Sequence, residues 1–564
     1  MKNKFLYIIL FGLIIAFGSC EPEMDLSDPK TVSVGNYYKN TDEFQMGLIA
    51  AYQPLVSIEG MYGRWTYYHF LGLGDDFTPT INCQHPTIVS AVYVAYYSPS
   101  AFGIGEVWTW QTLYQGVYAC NIIIEKLEPF DDIEAVSAED KSSILGQAHF
   151  LRGLYYLHLA VLYGETVPLV TRVAQTKDEQ FPPNTEKGES IIYSFIVEEF
   201  KAASALLKTR SETFFDSEGS AINFNYGRAT KGSAQGYLAR TYLYRPLIDI
   251  NQEAEFDKAA VMLDSVINSK EYYLMPNFRD NFTDENENNA ESLFETQFIV
   301  TPNPASGNNR NYSWRMRECG YPRGGTGAPT SSIWWNMAPN PIAYNEFEQG
   351  DPRRYMTLWC PDGAQFFTYN PNDTVEFEDN IFGITDEDLY GCRKYCYDYL
   401  PTNQDVGIND RLLRYSDILL MRAECAYELG DNGTAIQYID MVRNRANNIV
   451  PTEQPVLWYS KSKGTIPGVE ELIAKDTTIN GRKIANLKDA IVHERFVEFC
   501  GEYLRYLDLR RWAAADHTYN NYLLNKYQGT RSYDNNFDPN KQGALPIPSI
   551  ELDVNPNVHG NDWN

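Results

Sequence analysis

The chain is short of basic residues. Lys and Arg number 47 against 74 Asp and Glu, a formal net charge of −27 over 564 residues. Nucleic acids and anionic lipid headgroups are recognised by clustered Lys and Arg, so this balance excludes both as principal ligands and favours neutral ones. Histidine is scarcer still: seven residues are scattered along the chain with no His-Glu-x-x-His spacing. No Gly-x-Ser-x-Gly elbow is present, and Gly324-Gly-Thr-Gly lacks the strand-then-helix context of a phosphate loop. Metalloprotease, serine-nucleophile and nucleotide chemistry are therefore not expected, and neither is an enzyme. The nine cysteines show no zinc-ribbon or redox spacing. Cys392 and Cys396, four apart, suit a metal pair, a disulfide or two core thiols; with no His nearby, no metal is expected. No cofactor is called for, and a structural calcium is compatible with the sequence but not indicated by it.

Long apolar runs are also missing, with one exception. Lys2 and Lys4 precede an apolar stretch from Phe5 to Phe17, and Gly18-Ser19 leads into Cys20. The stretch falls short of the roughly 20 apolar residues of a membrane-spanning helix and has the layout of a signal peptide. A small residue directly before a cysteine at the end of such a segment is the shape of a bacterial lipobox, so residues 1–19 read as the leader and Cys20 as the lipidated, palmitate-bearing N-terminus. The 545 residues that follow residue 19 carry −29, since only Lys2 and Lys4 are lost. Residues 20–35, opening Glu-Pro-Glu-Met-Asp after the cysteine, read as a flexible tether and, more weakly, as a surface-export address. No Ser/Gly or Pro/Thr tract divides the rest, which predicts one body of two regions, 36–275 and 276–564.

Helical periodicity fills most of that body. Ala148, Leu151, Tyr155, Leu159 and Leu162 recur at steps of three or four, and Gly164 and Pro168 mark the stop. A second segment runs from Lys231 through Tyr242, followed by a partner from Phe256; a third pair is Tyr415–Leu429 and Thr434–Ala446, joined across Gly430-Asp-Asn-Gly. Paired helices of this length with small crossing residues and a short turn have the plan of tetratricopeptide repeats. The segment 189–207 fits loosely as a further unit. The expected fold is mostly α: tetratricopeptide-like pairs in an irregular superhelical scaffold, with few short β-strands and closing helices over 411–564. Between 276 and 410 the periodicity gives way to Pro, Gly, Asn and aromatic residues. Loops this long are functional or disordered, and the aromatic content argues against disorder, so the ligand face is expected there.

At several points the residues resemble the SusD/RagB-like family of outer-membrane nutrient-binding lipoproteins. The early match is Trp110-Gln-Thr-Leu-Tyr-Gln-Gly-Val-Tyr-Ala-Cys-Asn, then Gln147-Ala-His-Phe-Leu-Arg-Gly-Leu-Tyr-Tyr-Leu and Tyr163-Gly-Glu-Thr-Val-Pro-Leu. The later match is Gly350-Asp-Pro-Arg-Arg, Arg414-Tyr-Ser-Asp-Ile-Leu-Leu-Met-Arg-Ala-Glu, Asn444-Arg-Ala, Glu494-Arg-Phe-Val-Glu-Phe-Cys-Gly-Glu-Tyr-Leu-Arg-Tyr-Leu-Asp-Leu-Arg-Arg-Trp, and the closing Leu545-Pro-Ile-Pro and Asn555-Pro-Asn. The departures are Gly153, where alanine is common, and Gly501-Glu-Tyr, where Glu-Gly is usual. The resemblance implies four tetratricopeptide-like helix pairs, an outer-membrane lipid anchor facing the cell exterior, and a SusC-like TonB-dependent transporter as partner, to which a captured glycan is delivered.

Glu494, Glu498 and Glu502, spaced by four beside Arg495 and Arg505, invite a comparison with glycosidase acids. The neighbouring arginines would hold them ionised, so an ion-pair network is the expectation, as it is for Asp508 with Arg510 and Arg511, and for Arg152. Sugar recognition needs flat apolar faces flanked by polar groups. With 41 Tyr and 10 Trp, most rings must be core. The candidates outside the helical motifs are Trp65, Tyr67, Tyr96, Tyr97, Trp314, Tyr321, Trp334, Trp335 and Trp359, with Asp75, Asp76, Arg323 and Asn336 for polar contacts. Two other readings stay open: a lid subunit for peptide, as the RagB branch implies, and a surface glycan-cleaving enzyme, for which no motif speaks.

Overall fold

The computed structural model describes residues 36–57, 61–65, 67–80, 94–249, 251–299, 313–320, 335–360, 365–367, 374–376, 390–396, 406–447, 465–526, 535–543 and 545–563. The leader and tether expected over 1–35, with Cys20, lie outside them.

Ten longer helices carry the fold: α1 (Thr41–Val56), α2 (Ile104–Leu127), α3 (Ala138–Tyr163), α4 (Ile191–Leu206), α5 (Lys231–Leu243), α6 (Phe256–Ser269), α7 (Tyr415–Glu428), α8 (Asn432–Asn447), α9 (Leu487–Phe499) and α10 (Arg505–Ala515). Several of their starts are set by capping residues. Asn40 accepts from the Glu43 amide, Ser137 from that of Asp140, and Thr230 forms a reciprocal box with Ser233. From α1 to α8 each helix packs on the next, and α9 lies across α7 and α8. The helices expected from periodicity around 148–162, 231–242, from 256, 415–429 and 434–446 are present, as is one over the looser segment 189–207, and the fold is mostly helical.

α3 departs from the simple amphipathic picture. The stripe Ala148, Leu151, Tyr155, Leu159, Leu162 is buried, but so is every other residue from Ile144 to Tyr163 except His149, because α2 and α4 both pack against the helix. Such closeness demands small residues. A Cβ on Gly116 of α2 would stand 2.3 Å from the Tyr155 ring, and one on Gly153 would stand 3.1 Å from the Glu199 Cβ. Gly153 is thus a packing adjustment where α3 meets α4. α3 ends at Gly164, whose φ of +93° an L side chain rarely adopts.

The strands are short and antiparallel: β1 (Phe77–Pro79) pairs at long range with β3 (Met337–Pro339), β2 (Ser292–Glu295) with β8 (Arg411–Arg414) and β4 (Leu358–Trp359) with β7 (Gly391–Cys392), while β5 (Gln365–Phe367) with β6 (Thr374–Glu376) and β9 (Thr478–Ile479) with β10 (Arg482–Lys483) are local pairs. Through them the loop-rich region is stitched to the helical frame.

The second fastening is electrostatic. Glu494 accepts from Arg353 at 2.6 Å and from Arg443 at 2.8 Å. Glu498 pairs with Arg353, with Arg414 at 3.0 Å and with Arg445; Glu502 pairs with Arg414 at 2.8 Å and with Lys394 at 2.6 Å. Arg414 and Arg445 share Glu291, and Arg353 also holds Asp351. His493 bridges Glu346 and Glu348, which reach Arg482 and Arg443 in turn. Burial alone would lower the His493 pKa, but its hydrogen bonds to the two carboxylates outweigh that and raise it to about 9. With His493 an imidazolium, seven cations face seven anions. The expected ion-pair network is present, with different partners: Arg495 and Arg505 pair with Asp417, Asp508 and Asp75. Asp508 holds Arg511 and Arg495 rather than Arg510, and Arg152 pairs with Glu199 on α4.

Cys392 and Cys396 are separate buried thiols, as are the other described cysteines. Among the described residues no group of three His, Cys, Asp or Glu is placed to hold a metal.

Candidate functional site

Where the loop-rich region meets the first third of the chain, three segments converge on one cluster. Arg64, in a π-helical turn (Met61–Trp65), lays its guanidinium 4.4 Å from the Trp314 ring centroid and donates from Nε to Glu318 Oε1 at 3.2 Å. The other oxygen of Glu318 accepts from Asn336 Nδ2 at 2.6 Å. The Trp314 amide donates to the Gly63 carbonyl at 3.2 Å, and β1 pairs with β3 just beyond Asn336. A cation over an indole is attracted to the negative ring face, and the two hydrogen bonds of Glu318 fix that cation. The result is a rigid plinth of indole, guanidinium, carboxylate and amide. The chain leaves it toward 58–60, 66, 81–93, 300–312 and 321–334, all outside the described residues.

The sequence-derived candidates divide in three. Asp75, Tyr96, Tyr97, Trp335, Asn336 and Trp359 are buried, and so are Asp76 and Trp314. These side chains make their contacts in the interior. Asp75 holds Arg505 through two hydrogen bonds, of 2.6 and 2.9 Å. Tyr97, at φ +56°, packs 4.9 Å from the Phe537 ring and donates to the Leu73 carbonyl at 2.5 Å. Trp335, at φ +48°, donates its indole N–H to the Tyr390 carbonyl at 3.1 Å, while its own carbonyl accepts from the Thr80 hydroxyl. Left-handed φ at a bulky residue costs about 1–3 kcal/mol and persists only where surroundings enforce it, as these bonds do. Trp359 is fully enclosed with Arg393 over its ring, and Tyr96 sits in the core. Trp65 and Tyr67 lie on the two π-helical turns, Met61–Trp65 and Tyr67–Leu71, but their side chains fall outside the description. Tyr321, Arg323 and Trp334 lie wholly outside it.

Sequence reasoning missed Arg64 and Glu318. Arg64 directly precedes a chosen tryptophan, and Glu318 stands four residues after Trp314. Beneath the plinth, Asp76 is buried with Oδ1 lacking a partner; burial first, then the charge of Asp75, raises its pKa to about 7. Nearby, Lys526 donates to the Ala95 and Gly72 carbonyls, and burial lowers it to about 7.

A row of packed helices joined by short strand pairs to a region of irregular structure defines a helical-repeat class of scaffold. The chain belongs to the SusD family, whose sequence profile matches residues 258–563; a second profile, described as starch-binding associating with outer membrane, matches residues 100–243. A relative from Formosa agariphila, SusD-like protein P25, is 23% identical over 588 residues, spanning 99% of this chain and 98% of the relative. A SusD homolog from Bacteroides thetaiotaomicron superposes with a TM-score of 0.71 at 20% identity, over 94% of this chain and 98% of that one. Surface glycan-binding protein A from the same organism, solved in complex with laminarihexaose, gives 0.63 at 20% identity, over 92% and 99%. These structures share the fold.

Proposed function

We propose that the protein is a cell-surface glycan-binding lipoprotein that captures an oligo- or polysaccharide and hands it to a SusC-like TonB-dependent transporter in the outer membrane. In this reading residues 1–19 are removed, Cys20 carries the lipid, and residues 20–35 tether a body that faces the cell exterior. No cofactor and no covalent chemistry enter. Family membership supports the reading, as does the laminarihexaose held by a protein of the same fold. The observation that carries it is the Arg64–Trp314–Glu318–Asn336 plinth, whose members lie within a few residues in sequence of Trp65, Tyr67, Tyr321 and Trp334. The glutamates that invited an enzymatic reading are consumed in ion pairs.

The test is calorimetric titration of the full chain in neutral detergent against a panel of polysaccharides, with Trp65→Ala/Trp334→Ala alongside. Saturable binding without release of reducing ends is expected, weakened on the order of tenfold or more in the variant. Binding of peptides alone would replace glycan with peptide as cargo, and release of reducing ends would make the protein an enzyme.

A further inference from the structure

A cleft of about 820 Å³ opens between α10 and the segment 539–543. It shares no lining residue with the plinth. Its apolar lining includes Leu507, Ala513, Ala514 and Leu524, with the buried Tyr506 beside them. Five amide side chains line it, Asn251, Gln252, Asn520, Asn540 and Gln542, and each offers both donors and acceptors. The Nε2 of Gln542 is enclosed and has no hydrogen-bond partner. A buried donor in that state costs free energy that a ligand acceptor would recover.

The charges of the cleft run against those of the chain. Arg510 and Lys541 both line it, and among the described residues neither forms an ion pair, although carboxylates far outnumber basic groups in this sequence. They are held side by side: Arg510 donates to the Tyr506 hydroxyl at 3.1 Å and to the Lys541 carbonyl at 2.8 Å, and the Lys541 ammonium sits 4.0 Å from the Trp563 ring centroid. The lone carboxylate of the lining is Glu253. A cleft lined by apolar groups, five amides and two neighbouring cations that hold no carboxylate among the described residues matches a hydroxyl-rich ligand that carries one negative group.

We propose that this cleft is a second binding site, which takes a short stretch of an acidic polysaccharide. A uronate carboxylate or a sugar sulfate lies against Arg510 and Lys541, with the hydroxyls of the neighbouring sugars on the amides. The choice of sugar as ligand class rests on the glycan reading above; the anionic group rests on the cleft alone.

The experiment titrates the full chain in neutral detergent at low salt with trigalacturonate, galactotriose, a sulfated galactotriose and triglutamate. One or both anionic sugars are expected to bind on the order of tenfold tighter than galactotriose, and Arg510→Ala/Lys541→Ala to remove that advantage. Arg510 also braces the 541 carbonyl, so a second pair of variants guards against a local fold defect: Lys541→Gln weakens anion binding and Glu253→Gln strengthens it. No saturable binding of either anionic sugar overturns the proposal, as does binding indifferent to all these variants, displacement by a neutral glycan that needs Trp65 and Trp334, or triglutamate binding equally well. If anionic sugars bind through Arg510 and Lys541 while no neutral polysaccharide binds elsewhere, the cleft stands and the loop-face reading falls.

Discussion

Arg505 and Asp75, 430 residues apart in sequence, meet through two parallel hydrogen bonds of 2.6 and 2.9 Å in the protein interior. The pair ties the segment leading into β1 to α10, so the loop face is anchored to the last long helix. Removing one partner strands a buried charge. Arg505→Ala is expected to lower unfolding free energy by about 3–5 kcal/mol, whereas Asp75→Leu/Arg505→Leu loses much less. Urea titrations of the three proteins decide it; equal losses in the single and double variants would contradict the pairing.

His493 makes stability depend on alkaline pH. Its folded pKa of about 9 lies above the ordinary 6.5. Its contribution is therefore complete below pH 6.5 and is lost as pH rises through 9, a swing on the order of 3 kcal/mol. Glu346 and Glu348 act with the opposite sign. Burial would raise them, but Arg482, Arg443 and His493 hold them at about 2, so their contribution is complete above the ordinary 4.5 and fades as pH falls toward 2. The stability of the wild type relative to His493→Gln should fall as pH rises from 6.5 to 9, read from paired denaturation midpoints across that range.

Glu498 is a structural carboxylate, and its removal separates the two roles the sequence offered it. Glu498→Gln leaves Arg353, Arg414 and Arg445 short of a counter-charge and is expected to cost about 3–5 kcal/mol of stability. An unchanged denaturation midpoint, or a polysaccharide-cleaving activity in the wild type that the variant lacks, would refute the structural role.

Two glycine substitutions should move stability in opposite directions. Gly116→Ala drives a methyl into the buried Tyr155 ring, whose hydroxyl is committed to the Ala51 carbonyl at 2.6 Å, and should destabilise by about 1–3 kcal/mol despite better helix propensity. Gly433→Ala, in the first turn of α8, meets nothing closer than 3.7 Å and should stabilise by up to about 1 kcal/mol. Melting temperatures of the two variants against the wild type give both signs.

The helical frame was legible because its signals are local. Gly164 after Tyr163, Gly430 after the Tyr415 helix, and the apolar stripe of Ala148 to Leu162 each report on a few neighbouring residues. The candidate site depends instead on residues brought together from a distance. Nothing near Arg64 announces Glu318, which stands 254 positions away. The sequence around Trp359 has the Pro and aromatic texture of an exposed loop, yet the ring is sealed beneath Arg393 because β4 pairs with β7. Local composition cannot separate a ring that waits for a ligand from one that fills the interior. The same limit misdirected the partners of Glu494 and Glu498, where adjacent arginines were expected and remote ones arrived.

The charge network around α9 also has a kinetic consequence. Its members come from segments near 291, 346–353, 394, 414, 443–445, 482 and 493–502. Peeling any one of these away leaves an ion without its counterpart in a dry interior, a penalty of several kcal/mol before any entropy is regained. Half-open forms of this region are therefore sparsely populated, and it should exchange its amide hydrogens as one cooperative block. Scarcity of nicked-open conformations slows cleavage by any protease that reaches the chain.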